Sequence, residues 1–165
     1  MTQPLVGVEL NPPGADPGAW LAEATAYEAA GVDSLWVRGG DADPWVLLGA
    51  LAAVTWRVRL GMPPEAGAEP AGTAFETLAL LSRGRLMLAR AGAEDGTLEV
   101  EVAGVVERWV RDAPPPGRQA WAGALEAATA AGAGGLLVCA APGLLDLLRH
   151  PEEEDDRSDL QLTYG

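Results

Sequence analysis

Histidine and cysteine, the side chains best suited to moving protons near neutral pH and to ligating transition metals, are scarce in this chain. There is one cysteine, Cys139, and one histidine, His150. A single cysteine permits neither an intrachain disulfide nor a cysteine metal cluster. Set in the apolar run at residues 135–140, Cys139 reads as a buried, inert strand thiol. His150 falls where a helix C-terminus is expected, and a partial positive charge there suits the helix dipole. That is favoured over a catalytic role. No catalytic group stands out. Asp41 is the candidate general base, weighed against the common use of a loop aspartate as a turn residue. Arg90 could meet a phosphate; the ordinary reading of a long charged side chain is an outer face or a pairing with Asp95.

Composition narrows the partners. The formal net charge is −13. Phosphate backbones need Lys and Arg, so nucleic acid is excluded as a partner, and an anionic membrane surface for the same reason. Much of the excess lies at residues 152–156, Glu-Glu-Glu-Asp-Asp, which reads as a solvated acidic segment. No apolar run reaches the roughly 20 residues that span a bilayer. The start, Met1-Thr2-Gln3-Pro4, lacks the basic opening of a signal peptide, so a cytoplasmic location is expected. With 48% hydrophobic residues, the chain reads as one α/β domain over residues 1–150 and an acidic tail over 151–165.

The elements that must position these groups alternate. Residues 4–10 read as a strand. Asp16 with Pro17 opens a helix that Gly31 closes. Residues 32–37 form a second strand. Asp43 with Pro44 repeats the helix start, and that helix runs to about Thr55. Residues 58–62 are a third strand, 63–72 a loop, and 85–90 a fourth strand after a helix ended by Gly84. This rhythm is that of an α/β barrel or a doubly wound sheet. Then the pattern changes. Asp95-Gly96 signals a tight turn, and the period-two run at 97–102 predicts an antiparallel hairpin strand. Residues 105–110 read as helical, 119–122 as a short strand, 124–131 as a helix, 135–140 as a buried strand and 144–149 as a last helix. The count is about seven strands and six helices. An eight-fold barrel typically needs about 250 residues.

The order Gly31-Val32-Asp33-Ser34-Leu35-Trp36, then Asp43-Pro44 through Thr55, Arg57 and Gly61, then Thr77-Leu78-Ala79-Leu80-Leu81-Ser82-Arg83-Gly84-Arg85, resembles the luciferase-like flavin and deazaflavin monooxygenases over roughly residues 5–92. A second stretch, Pro114-Pro115-Pro116 to Gly123 and Gly134-Gly135-Leu136-Leu137-Val138, is similar to that family's late strands. The resemblance implies a shortened or incomplete (β/α) TIM-type barrel with parallel strands and a hairpin insertion near residues 85–102. It implies an oxidoreductase, by oxygen insertion or hydride transfer, using FMN or deazaflavin on a small organic substrate. Glu9, Arg38, Met62, Arg90, Gly92 and Gly123 are then the candidate cofactor-binding residues.

Two departures from the family pattern define an alternative. Where active members carry a Glu-His pair, this chain has Arg38-Gly39-Gly40-Asp41, and arginine does not release its proton. Where the family has a run of glycines, this chain has Ala89-Arg90-Ala91-Gly92-Ala93, whose methyl groups keep a cofactor at a distance. The alternative is a non-catalytic shortened relative, without a cofactor, that binds a small ligand or serves as a structural or partner subunit. An unrelated α/β binding module is a third reading. Trp20, Trp36, Trp45 and Trp121 are expected in the core, while Trp56 and Trp109 are candidates for an apolar patch. An incomplete barrel exposes strand edges, so a homodimer anchored by Trp109 is expected.

Overall fold

Two Asp-Pro pairs set the first two helices. Asp16 caps α1 (Pro17–Ala29) by accepting a bond from the Ala19 amide, and Asp43 caps α2 (Pro44–Val54) by accepting from Trp45 and Val46. In each, proline takes the first helical position, where its missing N–H costs nothing. These helices connect β1 (Leu5–Leu10), β2 (Ser34–Val37) and β3 (Arg59–Gly61). A 3-10 turn at Pro64–Ala66 and α3 (Gly72–Leu81) lead to β4 (Leu88–Ala91), β5 (Thr97–Val102) and β6 (Val105–Asp112). Then follow α4 (Arg118–Ala130), β7 (Gly135–Cys139) and α5 (Leu144–Arg149). The computed structural model describes residues 3–38, 40–66, 72–102 and 104–151. The acidic run at 152–156, Gly39 and part of the 63–72 loop lie outside the described residues.

The seven strands make one sheet in the order β3-β2-β1-β7-β6-β5-β4. Sequence neighbours are therefore spatial neighbours, with β7 beside β1. The β1–β2, β2–β3, β1–β7 and β6–β7 pairs are parallel. Only β5 runs against the rest, in the hairpin expected after β4. The two sheet edges come together through a parallel bridge between Leu60 and Leu86. There the Leu60 amide donates to the Arg85 carbonyl and the Met87 amide to that of Leu60, both at 2.8 Å. The result is a nearly closed, barrel-like sheet, mostly parallel.

Strand alternation divides the core in two. Val8, Leu10, Leu35, Val37, Leu60, Leu136 and Val138 face outward and pack under Trp20, Tyr27, Leu48, Leu51, Trp121 and Leu147 of the helices. Inside the barrel lie Trp36, Met87, Leu98, Val100, Trp109 and Leu137. The two indoles meet with ring centroids 5.7 Å apart and planes tilted by 55°. Glycine makes room for them. A Cβ on Gly7 would stand 2.8 Å from both indoles, and one on Gly135 would stand 2.2 Å from that of Trp109. Below the rings, at the strand N-termini, Arg59 pairs with Glu107 at 3.2 Å and lies 5.6 Å over the Trp109 ring. No helix among the described residues is long and apolar enough to cross a membrane.

Three expectations need correction. Residues 105–110, read as a helix, belong to β6. The spacing of Val105, Val106, Trp109 and Val110 imitates a helical face, but both sides of this strand are covered by protein over part of its length. Residues 119–122, read as a strand, lie in α4, so the fourth expected helix is a strand and the sixth expected strand is the first part of a helix. Trp109 is fully buried inside the barrel and anchors no interface. Trp20, Trp36 and Trp121 are buried as expected, and Trp45 packs on the core edge. Trp56 is 67% exposed, with the Arg83 guanidinium 4.1 Å from its ring centroid.

Candidate functional site

The C-terminal ends of the parallel strands collect the charged residues. Inward-facing positions put Glu9 on β1, Arg38 directly after β2, Arg111 on β6 and Cys139 at the end of β7 at this mouth. Glu65 joins them from the 3-10 turn after β3. The order of contacts is continuous. Arg38 NH2 donates to the Cys139 thiol at 3.5 Å. Its Nε donates to Glu9 Oε1. Glu9 Oε2 lies 4.0 Å from Arg111 NH2, and Arg111 NH1 donates to Glu65 Oε1. Among the described residues, no group of three or more His, Cys, Asp and Glu side chains could hold a metal ion.

Burial grades this chain of charges. The Glu9 side chain is only 4% exposed. A buried carboxylate is costly unless paired, and Glu9 has a guanidinium facing each oxygen. The Glu9 carboxylate in turn holds the Arg38 guanidinium above its ordinary pKa, through their hydrogen bond and the opposite charges. Burial pushes the Glu65 carboxyl up, but the Arg111 hydrogen bond and the charges of Arg111 and Arg38 help to bring it below the usual range. Arg111 is the exception to this mutual satisfaction. Its Nε and NH2 atoms are buried, and neither has a hydrogen-bond acceptor among the described residues. Those two nitrogens form the side-on fork of a guanidinium, the geometry that takes both oxygens of a carboxylate.

Of the residues the resemblance assigns to a cofactor, Glu9 and Arg38 come together here. The others do not join them. Met62 follows β3, but alternation turns it outward, where it packs against the helical core. Arg90 is exposed on the outer face and lies 3.7 Å from Glu101, not Asp95. A Cβ on Gly92 would stand 2.2 Å from the Thr97 hydroxyl, so this glycine makes room for a side chain within the hairpin. Gly123 is exposed within α4 with nothing within 4 Å of an added Cβ. The six residues thus do not converge on one place in the fold. Asp41 is exposed in the loop after Arg38, a turn position. His150 follows α5, and its amide donates to the Asp146 carbonyl at 3.0 Å, in keeping with a helix end.

Arg111, Glu65 and Cys139 escaped the sequence reading as mouth residues. Arg111 was lost with β6, since a helix there gives no inward position. Glu65 lies in a loop without periodicity. Cys139 is only half-buried, beside a guanidinium, and not the enclosed thiol expected. Its odd position in β7, in step with Gly135 and Leu137, is the signal that places it inside the barrel. Compared with protein-family models, curated proteins and solved structures, the chain matches none.

Proposed function

We propose that this chain is a shortened luciferase-like (β/α) barrel, of TIM type, that binds a small organic carboxylate at its C-terminal mouth. The observation that carries the reading is the Nε–NH2 fork of Arg111, buried and without a hydrogen-bond acceptor among the described residues, its NH2 4.0 Å from Glu9 Oε2 beside the Arg38–Glu9 pair. Barrel sites sit at this end, where loops converge and inward strand positions run out into solvent. The interior itself is filled by Trp36 and Trp109, so a ligand would rest above the rings and not among them. The reading requires no catalytic base, in keeping with the absence of a histidine after β2. Calorimetric titration of benzoate into the protein tests it. Binding is expected, and Arg111→Met, which removes a charge-assisted fork, should weaken it about 10- to 100-fold. No heat from benzoate, with the fold intact by circular dichroism, would overturn the reading.

A second reading, an oxidoreductase on FMN or deazaflavin in the cytoplasm, is favoured by one observation: Glu9 and Arg38 do meet at the strand ends where the resemblance puts them. It predicts that the protein quenches the fluorescence of added FMN, and absence of quenching would count against it. A homodimer belongs to the same family of proposals. Its support is the set of exposed apolar side chains Val46, Trp56, Leu80 and Leu81 on and beside α2 and α3, and light scattering that returned the 17.0 kDa monomer mass would defeat it.

A further inference from the structure

We propose that Glu65 is an internal stand-in for the ligand's carboxylate, holding Arg111 in its place until the ligand displaces it. The inference rests on the reading of the mouth as a carboxylate site. Two carboxylates flank Arg111, and they are held very differently. Glu9 is 4% exposed, fixed within β1 and tied to Arg38. Glu65 is 52% exposed and stands on a turn of three residues, Pro64–Ala66, outside the sheet. A partner that is half in water regains hydration when it leaves, and such ion pairs contribute little. Glu9 cannot leave without stranding a buried charge.

The geometry of the guanidinium points the same way. Glu65 takes only NH1. The Nε and NH2 nitrogens stay buried without an acceptor among the described residues. A single carboxylate arriving on the fork would engage two donors where Glu65 engages one. Glu9 Oε2 already faces NH2 at 4.0 Å, so an arriving carboxylate would be a third negative group around one guanidinium, and Glu65, the half-exposed one of the two already there, is the one that gives way. The competition is built into the chain, and its strength is set by a weak, half-exposed pair. It therefore tunes affinity and does not block the site.

Titrating benzoate into the parent protein, Glu65→Gln, Glu65→Ala and Arg111→Met separates the possibilities. Removing the competing charge should tighten benzoate binding roughly fivefold in both Glu65 variants, with Arg111→Met weakened. Equal affinity in the parent and Glu65→Gln, with Arg111→Met still impaired, would leave the carboxylate site standing and overturn the role given to Glu65. Weaker binding in both Glu65 variants would also overturn it, by making Glu65 part of the wall that holds the ligand. Failure of benzoate to bind either the parent or Glu65→Gln would instead bring down the site on which the inference rests.

Discussion

Replacing Arg85 with methionine should destabilise the protein by about 3 kcal/mol. Arg85 is 9% exposed and sits where β3, the end of α2 and the start of the β4 segment converge. Its guanidinium donates five hydrogen bonds. Nε reaches the Ser82 carbonyl at 2.8 Å. NH1 reaches the Thr55 hydroxyl at 2.9 Å and the Val58 carbonyl at 2.8 Å. NH2 reaches the carbonyls of Ala52 at 3.1 Å and Thr55 at 3.0 Å. The last carbonyls of a helix have no intrahelical donor, and here a side chain from another segment supplies it. Burial holds the Arg85 pKa below its ordinary value, with the nearby Arg83 charge adding to this, yet arginine remains charged at any working pH. Methionine fills similar space and donates nothing. A buried acceptor left bare costs roughly 1–3 kcal/mol. Taking the low end for the carbonyls of Ala52, Thr55 and Val58 gives about 3 kcal/mol, because carbonyls tolerate partial satisfaction and the guanidinium no longer has to be desolvated. Lysine, with three donors and no fork, should recover only part of this. Urea unfolding followed by tryptophan fluorescence measures the loss, and a melting temperature lower by about 6–12 °C should accompany it. Hydrogen exchange adds a local readout. The Leu60 amide, bonded to the Arg85 carbonyl at the barrel seam, should lose protection more than the amides between β1 and β7. A methionine variant within about 0.5 kcal/mol of the parent, the range of ordinary surface changes, would refute the reasoning.

Three further outcomes are expected. Gly135→Ala drives a methyl group into the Trp109 indole and should cost about 1–3 kcal/mol with a shift in tryptophan emission; an unchanged unfolding midpoint would show that the ring moves freely. Gly123→Ala should stabilise by roughly 0.5–1 kcal/mol, because the position is helical and open, whereas a cofactor role for this glycine predicts lost flavin binding on the same substitution. Glu28 Oε1 accepts bonds from the amides of Trp56 at 2.8 Å, Arg57 at 2.6 Å and Val58 at 3.1 Å; burial raises its pKa, but these bonds and the Arg57 charge outweigh that and lower it. Its stabilisation is therefore fully present above the unfolded carboxyl pKa of about 4.3 and is lost as pH falls through the lower folded value. Glu28→Gln should cost about 1 kcal/mol at neutral pH and progressively less in acid, and a cost independent of pH would contradict this account.

The amino-acid sequence by itself determined the first half of the molecule. Asp16-Pro17 and Asp43-Pro44 mark helix starts through local bonds to their own next residues, and the apolar runs at β1, β2 and β3 need only a helical layer on one side to become parallel strands. The hairpin into β5 was also legible, because Gly96 takes the positive φ of 75° that its turn demands and alternation over 97–102 is a local property. What followed was decided by tertiary structure. In Val105–Asp112 the inward residues are Glu107, Trp109 and Arg111, a charged and aromatic set that resembles no core pattern. Their side chains are accommodated only because β5 and β7, distant in sequence, close the barrel around them. Gly7 and Gly135 clear space for Trp109, and Arg59 of β3 neutralises Glu107 across the lumen. The mouth depends on the same closure. Glu9, Arg38, Arg111 and Cys139 are spread over 131 positions of sequence and meet because four strands run parallel and end together. Periodicity reports which face of an element is apolar; it carries no information about which other strands will share that face, and that pairing places both the buried tryptophans and the buried arginine fork beside Glu9.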